Sequence, residues 1–160
     1  MGTSDLATVR LVCQVSLMDK HVDPEREQFE AFKALPRDKP VAMLNLVRFR
    51  SRAEYPGDHA LASAGLSGAE AYTRYGEHSG PVFRRVGGSI LWSGRPKLVL
   101  IGPGSERWDT AFVAYYPSAG AFLAMVTDPE YRLAVVHRQA AVETSRLIRT
   151  EPRDGGQSFA

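Results

Sequence analysis

The 160 residues contain one cysteine, Cys13, so no disulfide can close within the chain and a reducing compartment is its expected home. That thiol and the four histidines scattered from His21 to His137 do not make a zinc site of any ordinary spacing. Charge of one sign is also scarce, with a formal net charge of +2. The arginines are spread from Arg10 to Arg153, and the tight groups, "RFRSR" and Arg84-Arg85, are short. A nucleic-acid surface clusters its cations or sets aromatics in a basic strand, and neither pattern occurs. Long hydrophobic runs are missing too. The apolar stretch at residues 9–17 is interrupted by Arg10, Gln14 and Ser16 and is too short to span a bilayer. The expectation is a soluble, cytoplasmic protein with no nucleic-acid or membrane partner. There is no nucleophile elbow, phosphate loop, dinucleotide fingerprint or HExxH. "GPGSER" lacks the strand-to-helix setting of a phosphate loop and reads as a turn.

What is present is an ordinary globular composition, 44% hydrophobic and 24% charged, long enough to bury a core as one domain. "VRLVCQVSL" alternates as a half-buried strand. "DPEREQFEAFKAL" starts a helix, with Asp23 as cap, Pro24 in the first turn and Phe29, Phe32 and Leu35 as an apolar stripe. "VAMLNLVRF" is a strand with an asparagine in its middle. A polar loop at residues 50–66 leads to "SGAE", where Ser67 and Glu70 have capping-box spacing. The helix that follows carries Tyr72 and Tyr75; Gly80-Pro81 predicts a kink or restart, and Gly87-Gly88 its end. "SILWS" reads as a strand, "LVLI" as its resumption and "TAFVAYY" as the returning arm of a hairpin. Ser118 caps a short helix, Asp128-Pro129 opens a longer one, and "SRLIR" is the last strand.

From Val41 onward the order is β-α-β-β-α-β, the split βαβ pattern of an α+β, ferredoxin-like domain. The expected organisation is an N-terminal strand–helix extension over 1–40, the ferredoxin-like domain over 41–150 and a disordered tail over 151–160. "RVGGSILWSG", "YPSAGAFLAMVTDPEYRLAVVHRQAA" and "SRLI" together resemble the family of domain of unknown function 1330, DUF1330. The resemblance rests on Gly87-Gly88, on the Tyr116-Pro117-Ser118 corner and on Arg138, seven residues after the tyrosine of "DPEY". It implies a ferredoxin-like dimeric α+β barrel and lends no reaction.

Several residues are candidates for a ligand pocket between sheet and helices. Asn45 shares a strand face with Met43 and Val47, so its amide must be paired by backbone, water or ligand. Tyr72 and Tyr75, three apart on a helix, share a face, either as core or as phenols lining the cleft. Arg138 falls on the helical face of Tyr131 and Ala134, where it pairs either a carboxylate such as Glu143 or Glu70, a carbonyl, or an acidic ligand. Weaker candidates are His78 and His59 near the polar loop, Trp92 beside Ile90, Tyr116 and His137. His137 lies about 200° round the helix from Val135 and reads as a surface or interface histidine. A related branch, the haem-degrading monooxygenases, also carries an asparagine on its first strand. Alignment with it sets Tyr116 at its tryptophan and Val135 at its haem-ligating histidine, and a valine cannot ligate iron. No cofactor and no metal are expected.

Neither "TAFVAYY" nor "VAMLNLV" alternates cleanly, so both faces of the sheet are apolar. Two right-handed crossovers put both helices on one face. The other must then be covered, and a second copy fits it in size and character, predicting a homodimer through sheet faces. The functional expectation is a domain that binds a small acidic or aromatic molecule, as a cofactor-independent enzyme or a binder. The rival is a non-catalytic dimeric module, structural or regulatory.

Overall fold

The structure, a computed structural model, describes residues 20–156. The expected strand at residues 9–17 lies outside them. The element order is α1 (Arg26–Ala34), β1 (Val41–Phe49), α2 (Gly68–Arg85), β2 (Ser89–Gly94), β3 (Thr110–Tyr116), α3 (Ala119–Thr127), α4 (Pro129–Ala141) and β4 (Val142–Thr150). The four strands form one antiparallel sheet in the order β2-β3-β1-β4.

Register decides which side chains share a face. Val41, Met43, Asn45 and Val47 stand opposite Tyr116, Ala114, Phe112 and Thr110 of β3. Most of these are buried against the helices, in a core completed by Val82, Ala119, Phe122, Met125 and Tyr131. The alternate residues point the other way: Leu44 with Val113 and Ile148, Leu46 with Ala111 and Arg146, and Trp92 with Val113.

Local signals explain most helix ends. Ser67 and Glu70 make the reciprocal capping box of α2. Ser118 caps α3 through the Ala121 N–H, and Asp128 caps α4 just before Pro129. Gly87, with φ of 84°, takes the left-handed conformation that stops α2, and a side chain at Gly88 would strike the ring of Phe83. Gly68 is pressed between Arg50 and Ala141, where an added Cβ would lie 2.2 Å from the Arg50 carbonyl. Its N–H donates to that carbonyl, and the Arg50 N–H donates to Ala141. The end of β1, the start of α2 and the end of α4 therefore meet without intervening side chains.

Three expectations are corrected. The first helix starts at Arg26 with Glu25 at its cap and no side-chain bond there, so Asp23 does not cap it. Asp23 instead faces α4, accepting from Gln139. Helix α2 does not restart at Pro81 but runs on from Gly68 to Arg85 with the proline inside it. Gly80 before it has no Cβ to clash with the ring, and the carbonyl that loses its donor belongs to exposed Glu77. "LVLI" is not a strand: β3 pairs with "SILWSG" across a bulge, leaving segment 95–109 as a long loop. Helix α1 packs on the helix side of the sheet. Its Phe32 ring packs tilted against Phe122 at 5.0 Å and lies under the Arg149 guanidinium, which by register belongs to the helix side with Met43.

Candidate functional site

Asn45 sits on the helix side of the sheet, and its Nδ2 donates to the Met43 carbonyl of its own strand at 2.9 Å. The amide is thus held by main chain. Beneath it the helices close over the sheet with phenols. The Tyr75 and Tyr131 hydroxyls are 3.1 Å apart, the Tyr72 and Tyr75 rings 5.4 Å, and the Tyr116 hydroxyl donates to Met125 Sδ. Burial pushes the Tyr72, Tyr116 and Tyr131 hydroxyls well above the ordinary phenol range, with neighbouring phenols adding to it. These groups stay protonated and serve as donors or packing.

The Arg138 side chain is 15% exposed. It donates to the Val22 carbonyl and, at 3.0 Å, to Ser145 Oγ, and lies 3.7 Å from Asp23. It fastens residues 20–23 to β4, where His21 also accepts from the Ser145 N–H. Glu143 pairs with Arg48 instead. Trp92 is on the opposite face of the sheet, 56% exposed, far from core packing.

At the rim of the helix side a cavity of about 460 Å3 opens between α2 and the ends of β1, β2 and β3. The tilted rings of Phe49 and Tyr72, 5.0 Å apart, form one wall. Thr73, Ser93 and Thr110 contribute hydroxyls, and Arg95 and Asp109 stand at the two roots of the 95–109 loop. One Asp109 oxygen accepts from the Phe49 N–H at 2.7 Å, which fixes the carboxylate at the mouth. Arg95 makes no ion pair among the described residues. The cleft thus offers an aromatic wall, several hydroxyls, a cation and an anchored carboxylate. Of the sequence-derived candidates it takes in Tyr72 alone. Arg95 and Asp109 carry no periodic signal; only the length of the loop between them, unusual in a compact domain, points there.

A second constellation lies under the 50–66 loop. His137, expected at a surface or interface, is 8% exposed, because that loop folds across α4. Its Nδ1 is 2.8 Å from the Tyr55 hydroxyl, and its ring has His78 at 5.0 Å and His59 at 5.9 Å. Burial, then the charges of His78, His59 and Arg74, lower its pKa. Burial raises that of Tyr55. Among the described residues no group of three or more His, Cys, Asp or Glu is arranged to hold a metal ion. No described helix is long and apolar enough to cross a membrane.

The sheet order and βαββαβ succession of Val41–Thr150 define a ferredoxin-like α+β protein. The model of the family described as domain of unknown function, DUF1330, matches residues 59–150, and the chain belongs to that family. RPA0582, a protein of unknown function from Rhodopseudomonas palustris, is 53% identical over 85% of this chain and 99% of its own, with a TM-score of 0.78. The methylated RPA0582 protein gives a TM-score of 0.80 at 52% identity, over 88% and 100%. A dimeric protein of unknown function with a ferredoxin-like fold from Bacteroides fragilis is similar at 14% identity over 70% and 95%, with a TM-score of 0.43. No curated protein matches the chain.

Proposed function

We propose that the protein binds a small, flat carboxylic acid in the cleft between α2 and the ends of β1, β2 and β3. One observation carries this reading: a cavity of about 460 Å3 sets Arg95 and three hydroxyls against the rings of Phe49 and Tyr72. That volume is in the range of small-molecule sites, and the mix of an apolar wall with a few placed polar groups is their usual lining. Arg95 would take the carboxylate as a bidentate pair. Asp109, held by the Phe49 N–H, would accept from a ligand hydroxyl and is the carboxylate available to take a proton if turnover follows binding. The test is a thermal-shift screen of aromatic and unsaturated carboxylates on the full chain. A ligand at a hundred times its Kd adds about 2.7 kcal/mol of stability. Arg95→Ala should abolish that shift and leave the unliganded melting point in place, since Arg95 is exposed. A shift that survives Arg95→Ala, or no shift with any carboxylate, would overturn the reading and favour the non-catalytic module.

The same reading includes a second copy of the chain. What supports it is the open sheet face, where Leu44, Leu46, Val113 and Tyr115 are half-buried and Ile148 and Trp92 exposed. Segment 95–109 covers this face at one end, sending Trp108 under the Arg146 guanidinium. It also holds out Leu98, Leu100 and Ile101, which are 78%, 85% and 93% exposed. Large contiguous apolar surface of this kind marks an interface, and two-fold pairing of like faces is its simplest cover.

A further inference from the structure

Three histidines and a tyrosine meet where residues 50–66 cross α2 and α4, and the cleft described above uses none of them. The loop is tied by main chain at its base: the Arg50 and Glu54 N–H groups donate to the Ala141 and Ala140 carbonyls, and the Ala53 N–H to Leu66. Farther along, its attachment is by side chains. Tyr55 stacks on His59 at 4.7 Å, both rings meet the edge of His137, and the Tyr55 hydroxyl lies against His137 Nδ1.

Hydrogen-bond roles here depend on protonation. The Leu61 N–H donates to His59 Nδ1 at 3.1 Å, which requires that nitrogen to be bare and the ring neutral. The Tyr55 hydroxyl donates to His137 Nδ1 when that nitrogen is bare and accepts from it when it carries a proton. Protonation of His59 would set an Nδ1–H against the Leu61 N–H, donor facing donor, whereas at His137 it would reverse the bond so that the Tyr55 oxygen accepts. It would also place like charges on neighbouring rings, beside Arg74. The ionisable groups acting on His137 are His59 from the loop and His78 and Arg74 from α2, and no carboxylate is among them to offset the charge. Tyr55 completes the set of titratable groups in contact with it.

We propose that this cluster is a proton-operated latch, which holds residues 50–66 closed over α2 and α4 while His59 and His137 are neutral and releases them when the imidazoles protonate. The sign is consistent with the lowered pKa of His137. A depressed folded-state value gives stability that is full above the ordinary histidine pKa and is lost as pH falls below it. The closed loop belongs to neutral pH and the released one to mildly acidic pH.

Hydrogen exchange on the full chain, corrected for intrinsic rates, tests this between about pH 8 and about pH 5. Exchange in peptides from residues 53–66 should rise about tenfold relative to β1 peptides across that range. Tyr55→Phe should speed loop exchange already at neutral pH. His59→Asn with His137→Asn, which keeps an acceptor near each Nδ1 position but cannot titrate, should hold the loop protected throughout. If that pair does not fold, the native chain still decides: the Leu61 amide resonance should shift with the same midpoint as the His59 ring nitrogens. Loop protection that is independent of pH, opening that persists in the double variant, or a Leu61 amide that ignores the His59 titration would each overturn the latch.

Discussion

The two faces of one sheet behave differently. On the helix side Val41, Met43, Val47, Ala114 and Tyr116 are buried, and the chain supplies their cover from α2, α3 and α4, with Phe32 of α1 added beside Phe122. On the other side Leu44, Leu46, Val113 and Tyr115 are only half-buried and Trp92 and Ile148 are exposed, with Trp108 laid under Arg146 at one end. Both faces carry large apolar side chains, and one of them is far better covered. The difference teaches that residues 20–156 close one core and leave a second half-built.

Equal truncations on the two faces should therefore have unequal consequences. Phe122→Ala on the helix side should cost about 3–5 kcal/mol in equilibrium unfolding, through lost burial and a cavity among Phe32, Tyr116 and Met125. Gly68→Ala comes next, at about 2–3 kcal/mol, because the new methyl meets backbone oxygens of Arg50 and Ala141 that cannot turn aside. Chemical denaturation read by far-UV circular dichroism measures both. Tyr75→Phe should cost about 1 kcal/mol, the worth of its hydroxyl contact with Tyr131, in the same experiment. On the open face Trp92→Ala should change the unfolding free energy of a dissociated chain by less than about 0.5 kcal/mol. A Trp92→Ala loss as large as that of Phe122→Ala would erase the contrast between the faces.

The elements that were legible in the sequence are those set by neighbours in the chain. The capping box at Ser67 and Glu70, the caps at Ser118 and Asp128, and the run Val41–Phe49 each carry their own local cause. What could not be read depends on distant partners. His137 is buried by a loop that precedes it by many residues, and helical rotation says nothing about such a loop. "LVLI" has strand composition but no strand beside it, since β3 is already paired on both edges by β1 and β2. Asn45 was legible as a polar group needing a partner; that the partner is the Met43 carbonyl follows from a rotamer and not from sequence. The cleft was half-legible. Tyr72 belongs to a patterned helix, whereas Arg95 and Asp109 converge only once the 95–109 loop returns to the sheet.

Sedimentation equilibrium at micromolar concentration tests the central claim, that the open face is completed by a second copy of the chain. The account predicts a dimer that Leu44→Asp, at the centre of that face, converts to folded monomer. A well-folded native monomer at that concentration would contradict it, and would assign the cover of the open face to residues outside 20–156.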